Sequence, residues 1–108
     1  MSFLDRIFRR RPREPVELDV HQQIILLTLA RFGPRAFNDL FAEAAAIRRT
    51  TQAEMANAAL KLQAADLIAR LEEPGITQAQ RRYALTKRGK RISRILPREP
   101  KSTLDVYV

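Results

Sequence analysis

Cysteine and tryptophan are absent from the 108 residues, histidine occurs once and glycine only three times. Each scarcity excludes something. Without cysteine there is no disulfide, no thiolate metal site and no cysteine nucleophile, and the chain suits a reducing cytoplasm. The single imidazole, His21, cannot assemble a typical zinc site. It also has no Ser, Cys or clustered carboxylates nearby to make it a general base, so it is expected to be a polar residue in the first turn of a helix. Three scattered glycines form no phosphate-cradling loop. Long hydrophobic runs are missing too. The longest, "IILLTLA" at 24–30, is far short of the roughly 20 residues that span a bilayer, and "MSFLDRIFRRR" lacks the apolar stretch of a secretory signal. These absences lead to the expectation of a cytosolic protein that binds rather than catalyses, with no cofactor implied.

What is present is positive charge. Twenty Lys and Arg against twelve Asp and Glu give a net +8 and a pI near 11.0, in a chain that is otherwise ordinary at 45% hydrophobic and 30% charged residues. A single domain of this size holds one modest core. Such a balance favours acidic partners, nucleic acid or anionic lipid among them. The charge is unevenly spread: residues 1–15 carry a net +3, residues 16–80 a net −2, and residues 81–101 a net +8. An acidic-to-neutral body therefore ends in a basic segment, "RRYALTKRGKRISRI".

The order of elements follows from caps, breakers and periodicity. Pro12 and Pro15 interrupt any helix begun near Ser2, so residues 1–15 read as an arm and an extended connector. Asp19 with Gln22 three residues on has the form of a capping box. Ile24, Leu27, Leu29 and Phe32 then fill an apolar face until Gly33-Pro34 stops the helix. A second helix is expected from about Asn38, its cap, to Ala46, with Leu40, Phe41, Ala44 and Ala45 at helical spacing. Thr51 and Glu54 make another capping box for a third helix, whose stripe is Met55, Ala58, Ala59 and Leu62. "LIARLE" and "RRYAL" alternate as strands do and flank a Pro-Gly loop, which predicts a hairpin; Thr86 then caps a last helix that Pro97 ends. The tail "TLDVYV" is apolar and extended, with adding a strand, folding back and fraying all open to it.

Three helices, a hairpin and a return helix describe a mainly α winged helix-turn-helix with a small β hairpin. Two stretches carry a resemblance. "ALKLQAADLIARLEE", Ala59 to Glu73, and "YALTKRGKRI", Tyr83 to Ile92, resemble the recognition-helix end, the wing and the Tyr-x-Leu-Thr-x-x-Gly turn of MarR-like and PadR-like bacterial regulators, over roughly residues 19 to 96. The resemblance implies a winged-helix domain over residues 16–97 between an N-terminal arm, 1–15, and a tail, 98–108. It departs from the pattern at Asp66, where a glycine is usual; Asp tolerates a left-handed backbone better than most residues. The span from Leu40 to Met55 also exceeds the usual one by about a helical turn, which argues against a tight connection between helices 2 and 3.

The candidate binding residues fall in three groups. On the last helix Lys87, Lys90, Arg91 and Arg94 share one side, with Ile92, Ile95 and Leu96 opposite, and the wing adds Arg81 and Arg82; together they are expected to grip phosphates. On helix 3 the outward set is Gln52, Ala53, Ala56, Asn57, Leu60, Lys61 and Ala64. Gln52, Asn57 and Lys61 can hydrogen-bond to bases, and Arg48 and Arg49 before the helix can hold phosphates. The same helix face is unusually apolar, a property more expected of a protein contact. In the arm, Phe3, Leu4, Ile7 and Phe8 share one side of a short helix whose other side is rich in arginine, a pattern for docking on a partner protein or an anionic membrane surface.

The leading expectation is thus a small winged-helix protein that binds double-stranded DNA, a transcriptional regulator. The competing one is a winged-helix interaction module in a larger assembly, recruited to a membrane surface through its arm. A homodimer would use helix 1, the arm or the tail, since only about three turns of helix follow the wing before Pro97.

Overall fold

The computed structural model describes residues 16–73, 75, 77 and 80–100, and the backbone of 103–106. The arm residues Phe3, Leu4, Ile7 and Phe8 lie outside the described residues. Four helices, α1 (Val20–Phe32), α2 (Phe37–Ile47), α3 (Gln52–Ala64) and α4 (Lys87–Ile95), surround a core beside a three-stranded antiparallel sheet. The sheet has the order β2 (Arg35–Ala36), β4 (Arg82–Leu85), β3 (Ile68–Arg70). A separate ribbon pairs β1 (Val16–Asp19) with β5 (Thr103–Val106), Leu18 opposite Leu104. The tail therefore adds a strand, to a partner lying just before α1.

Helix α1 is the hub. Its capping box forms as the sequence indicates: the Gln22 amide donates to Asp19 Oδ1 at 2.9 Å and the Asp19 amide to Gln22 Oε1 at 3.0 Å. Ile24, Ile25, Leu26 and Leu29 are buried, on more than one side of the helix, because α2, α3, α4 and the sheet all pack around it. Gln23 is wholly buried and donates from Nε2 to the Leu18 carbonyl at 2.9 Å, which offsets the cost of desolvating its amide. At the far end Gly33 takes φ 82°, and its N–H closes the helix on the Leu29 carbonyl at 2.9 Å. Phe32, expected on the core face, is 46% exposed and lies between the Arg31 and Arg35 guanidinium groups, at 5.3 and 5.2 Å from its ring centre. At the last position before the Gly33 break, its ring extends past the core and stacks with cations instead.

Helix α2 starts one residue earlier than expected, and Asn38 does not cap it. The N-cap is Ala36, without a side-chain bond, and the Phe37 amide donates instead to the Arg81 carbonyl at 3.0 Å. Sheet backbone has replaced the cap. Only Arg48, Arg49, Thr50 and Thr51 separate α2 from α3, so the connection is tight after all; the added sequence is taken up by a full eleven-residue α2.

The capping box at Thr51 and Glu54 holds the start of α3, with the Glu54 amide 3.1 Å from Thr51 Oγ1 and the Thr51 amide 2.9 Å from Glu54 Oε1. At its other end Asp66 adopts φ 62°, and the Leu67 amide reaches back to the Leu62 carbonyl at 2.9 Å, a left-handed C-terminal closure with Asp in the glycine position. Thr86 then clasps this closure to α4. Its hydroxyl donates to the Asp66 carbonyl at 2.7 Å and accepts from the Gly89 amide at 3.0 Å. Gly89 is required there, since a Cβ would collide with the Leu67 carbonyl oxygen. The Thr-x-x-Gly pattern thus has a physical cause: one residue bonds the α3 turn and the other lets α4 approach it. On α4 the buried face is narrow, made by Gly89, Ile92 and Leu96. Ile95, expected to join it, is turned away by about 60° from Ile92 and is 60% exposed.

Candidate nucleic-acid interface

The face of α3 opposite its buried stripe is open along its whole length. Met55, Ala58, Ala59 and Leu62 are buried, while Gln52, Ala53, Ala56, Asn57, Leu60, Lys61 and Ala64 are all exposed, Leu60 to 63%. Among the described residues neither the Gln52 nor the Asn57 amide group has a hydrogen-bond partner. Arg48 and Arg49 are exposed in the short turn that leads into the helix. The structure therefore brings Arg48, Arg49, Gln52, Asn57 and Lys61 together on and just before one helix.

The start of α3 is tied to α1. Nε2 of half-buried His21 lies 3.4 Å from Thr50 Oγ1 and 4.0 Å from Glu54 Oε1, and the Thr50 hydroxyl sits 3.2 Å from the Arg48 carbonyl. His21 is in the first turn of α1, as expected, and it also braces the turn that carries the two arginines. The Thr51 amide holds the Glu54 carboxyl below its ordinary range, assisted by the charges of His21 and Arg48.

Beside α3 runs a groove of about 360 Å³ whose far wall is Phe37, Arg70 and Tyr83. Arg70 escaped the sequence analysis. It occupies the last position of β3, directly across from Tyr83, a register that the alternation of "LIARLE" does not determine. The hairpin cations are not free charges. Arg70 Nε lies 3.5 Å from Glu72, Arg81 Nη1 lies 3.8 Å from the same carboxylate, and Arg82 Nη1 lies 3.7 Å from Glu73. The Arg70 and Arg82 pairs are exposed, and such pairs are weak, typically about 0–1 kcal/mol, so a phosphate competing for these two arginines meets little resistance; Arg81 is only 22% exposed, with its Nε buried.

The α4 cations are arranged differently. Lys87, Lys90, Arg91 and Arg94 are exposed, and none of them forms an ion pair among the described residues. Lys90 and Arg94 line a second cleft, of about 460 Å³, with Leu29, Gly33 and Pro34 from the end of α1. That cleft shares no residue with the α3 groove. Arg81 and Arg82 belong to the hairpin, while Lys90 and Arg94 line a cleft walled by the end of α1 on one side and by Ala84 and Leu85 of β4 on the other. Arg88 points to neither, because its Nη1 donates to the Ala65 carbonyl at 3.1 Å and helps fasten α4 to the α3 closure.

Among the described residues no cluster of His, Cys, Asp or Glu is placed to hold a metal ion, and no helix is long and apolar enough to cross a membrane. No protein-family model, curated protein or solved structure matches the chain.

Proposed function

We propose that this chain is a winged-helix protein that binds double-stranded DNA through α3 and acts as a transcriptional regulator. In this reading the β3–β4 hairpin is the wing, and α3 enters the major groove with its first turns against the bases. The observation that carries the proposal is the uninterrupted exposure of α3, with two unpaired amides on its face and two arginines at its entrance. Arg48, Arg49 and Lys61 flank the face as phosphate contacts, and Arg81 and Arg82 exchange Glu72 and Glu73 for phosphate as the hairpin meets the backbone. The α4 cations supply a longer-range attraction from the adjoining side. About five neutralised phosphates give log K against log salt a slope of roughly −4 to −5. A duplex titration across salt concentrations tests it; a flat response contradicts the mechanism.

One observation favours a second reading. Leu60, together with Ala53, Ala56, Phe37 and Tyr83, makes the α3 groove largely apolar, as in the core of a protein interface. In that reading the domain is an interaction module of a larger assembly, held at an anionic membrane surface through the arm. Liposome flotation of the full chain and of a chain starting at Val16 separates the two, because only the second reading predicts arm-dependent recruitment.

A further inference from the structure

We infer that the α3 face selects A·T base pairs in the major groove, with Gln52 and Asn57 reading adenine and Ala53, Ala56 and Leu60 packing on thymine methyl groups. The inference rests on the DNA-binding proposal and specifies its target.

The argument is one of chemical complementarity. In the major groove, guanine offers two acceptors that Arg or Lys satisfies, cytosine offers an amino donor, adenine offers a donor beside an acceptor, and thymine offers a methyl group. The first two turns of the helix are the part that reaches base edges in such a docking. Among their exposed residues, Gln52, Ala53, Glu54, Ala56 and Asn57, there is no cation for guanine; Lys61, a turn further on beside Leu60, is the one cation of the helix and is taken as a phosphate contact. The one acceptor suited to cytosine, Glu54, already has its Oε1 engaged by the Thr51 amide at 2.9 Å and directed back to the cap. What remains are two side-chain amides, each matching the donor–acceptor pair of adenine, and the methyl groups of two alanines. Leu60, one turn on from Ala56, is 63% exposed and extends the methyl-bearing face with surface that an apolar partner would cover. Thymine methyls supply one where the flanking charges, Arg48, Arg49 and Lys61, match a phosphate backbone.

Four measurements with the full chain test this. Binding is measured by fluorescence anisotropy at low salt to duplexes of about two helical turns: one A·T-rich, one G·C-rich, and one A·T-rich with every thymine replaced by uracil. Uracil keeps the base pairing and the adenine edge and removes only the methyl. The fourth measurement repeats the set with Asn57→Ala and Leu60→Gln, exposed substitutions whose folding is checked by circular dichroism. The A·T duplex is expected to bind roughly tenfold more tightly than the G·C duplex, and uracil to cost roughly fourfold for each methyl contacted. Leu60→Gln should reduce the thymine–uracil difference, and Asn57→Ala the A·T preference. Equal binding to A·T and G·C duplexes overturns the inference while leaving DNA binding intact. An A·T preference indifferent to uracil and to both substitutions also overturns it, since the preference then arises from groove shape. If no duplex is bound at low salt, the DNA-binding proposal itself fails and this inference with it.

Discussion

Two surfaces of this small domain, the exposed faces of α3 and α4, divide chemistry and charge between them. The α4 face is made of Lys87, Lys90, Arg91 and Arg94, unpaired among the described residues and set beside the end of α1. The α3 face carries amides and methyl groups with a single lysine, and takes its arginines from the turn before it. Sequence draws attention to the first because cations are conspicuous. The physics of base recognition points to the second, since phosphate contacts position a protein on a duplex and carry no sequence information directly. Under the proposed function, the densest charge does not mark the surface that discriminates.

The contrast can be broken most strongly by charge removal on one side at a time. Replacing Arg48, Arg49 and Lys61 together by Ala is expected to weaken duplex binding by roughly a hundredfold at low salt and to reduce the salt slope by about 3. Replacing Lys90, Arg91 and Arg94 together is expected to cost roughly tenfold or less, through loss of long-range attraction alone. Anisotropy titrations at several salt concentrations measure both, and a reversed order would exchange the roles assigned to the two helices.

The joint between the surfaces comes next. Gly89→Ala places a methyl group against the Leu67 carbonyl, where α4 is clasped to the end of α3. A loss of about 1–3 kcal/mol is expected, seen as a melting temperature lower by roughly 5–20 °C. Asp66→Gly acts on the same joint in the opposite direction. Relief of the left-handed backbone at φ 62° should raise stability by about 0.5 kcal/mol or more, measurable by urea denaturation.

The smallest effect is at the start of α3. The Glu54 carboxyl is held below its ordinary range by the Thr51 amide, so its contribution is present at neutral pH and lost as pH falls through its depressed folded-state value. Glu54→Gln keeps a cap acceptor and should flatten that acid-side loss in a thermal-melt series. An unchanged acid profile would show that the Glu54 charge contributes little to the cap.

Local chemistry is where the sequence was most legible. The two capping boxes, the Thr86 cap, the Gly33 stop and the left-handed Asp66 each depend on residues within a few positions of one another, and each stands in the structure as expected. The exposed set on α3 was also legible, because helical periodicity determines which residues oppose a buried stripe. Non-local partners were not. Asn38 lost its capping role to the Arg81 carbonyl, forty-odd residues away, and the hairpin arginines found Glu72 and Glu73 across the strands. Phe32 and Ile95 satisfy the helical pattern, yet Phe32 lies where the packed surface ends and Ile95 is rotated out of the narrow buried face of α4. The direction of the α4 cations depends on how the helix docks, which the Gly89–Leu67 contact sets and periodicity alone does not.

The most direct test of the central claim, that α3 is the surface which meets the duplex, is a map of backbone amide shifts by NMR as an A·T-rich duplex is titrated into the full chain. The account predicts the largest changes at Arg48, Arg49 and from Gln52 to Lys61, with the hairpin next and Lys90 to Arg94 least. Changes centred on α4, with α3 unmoved, would contradict it.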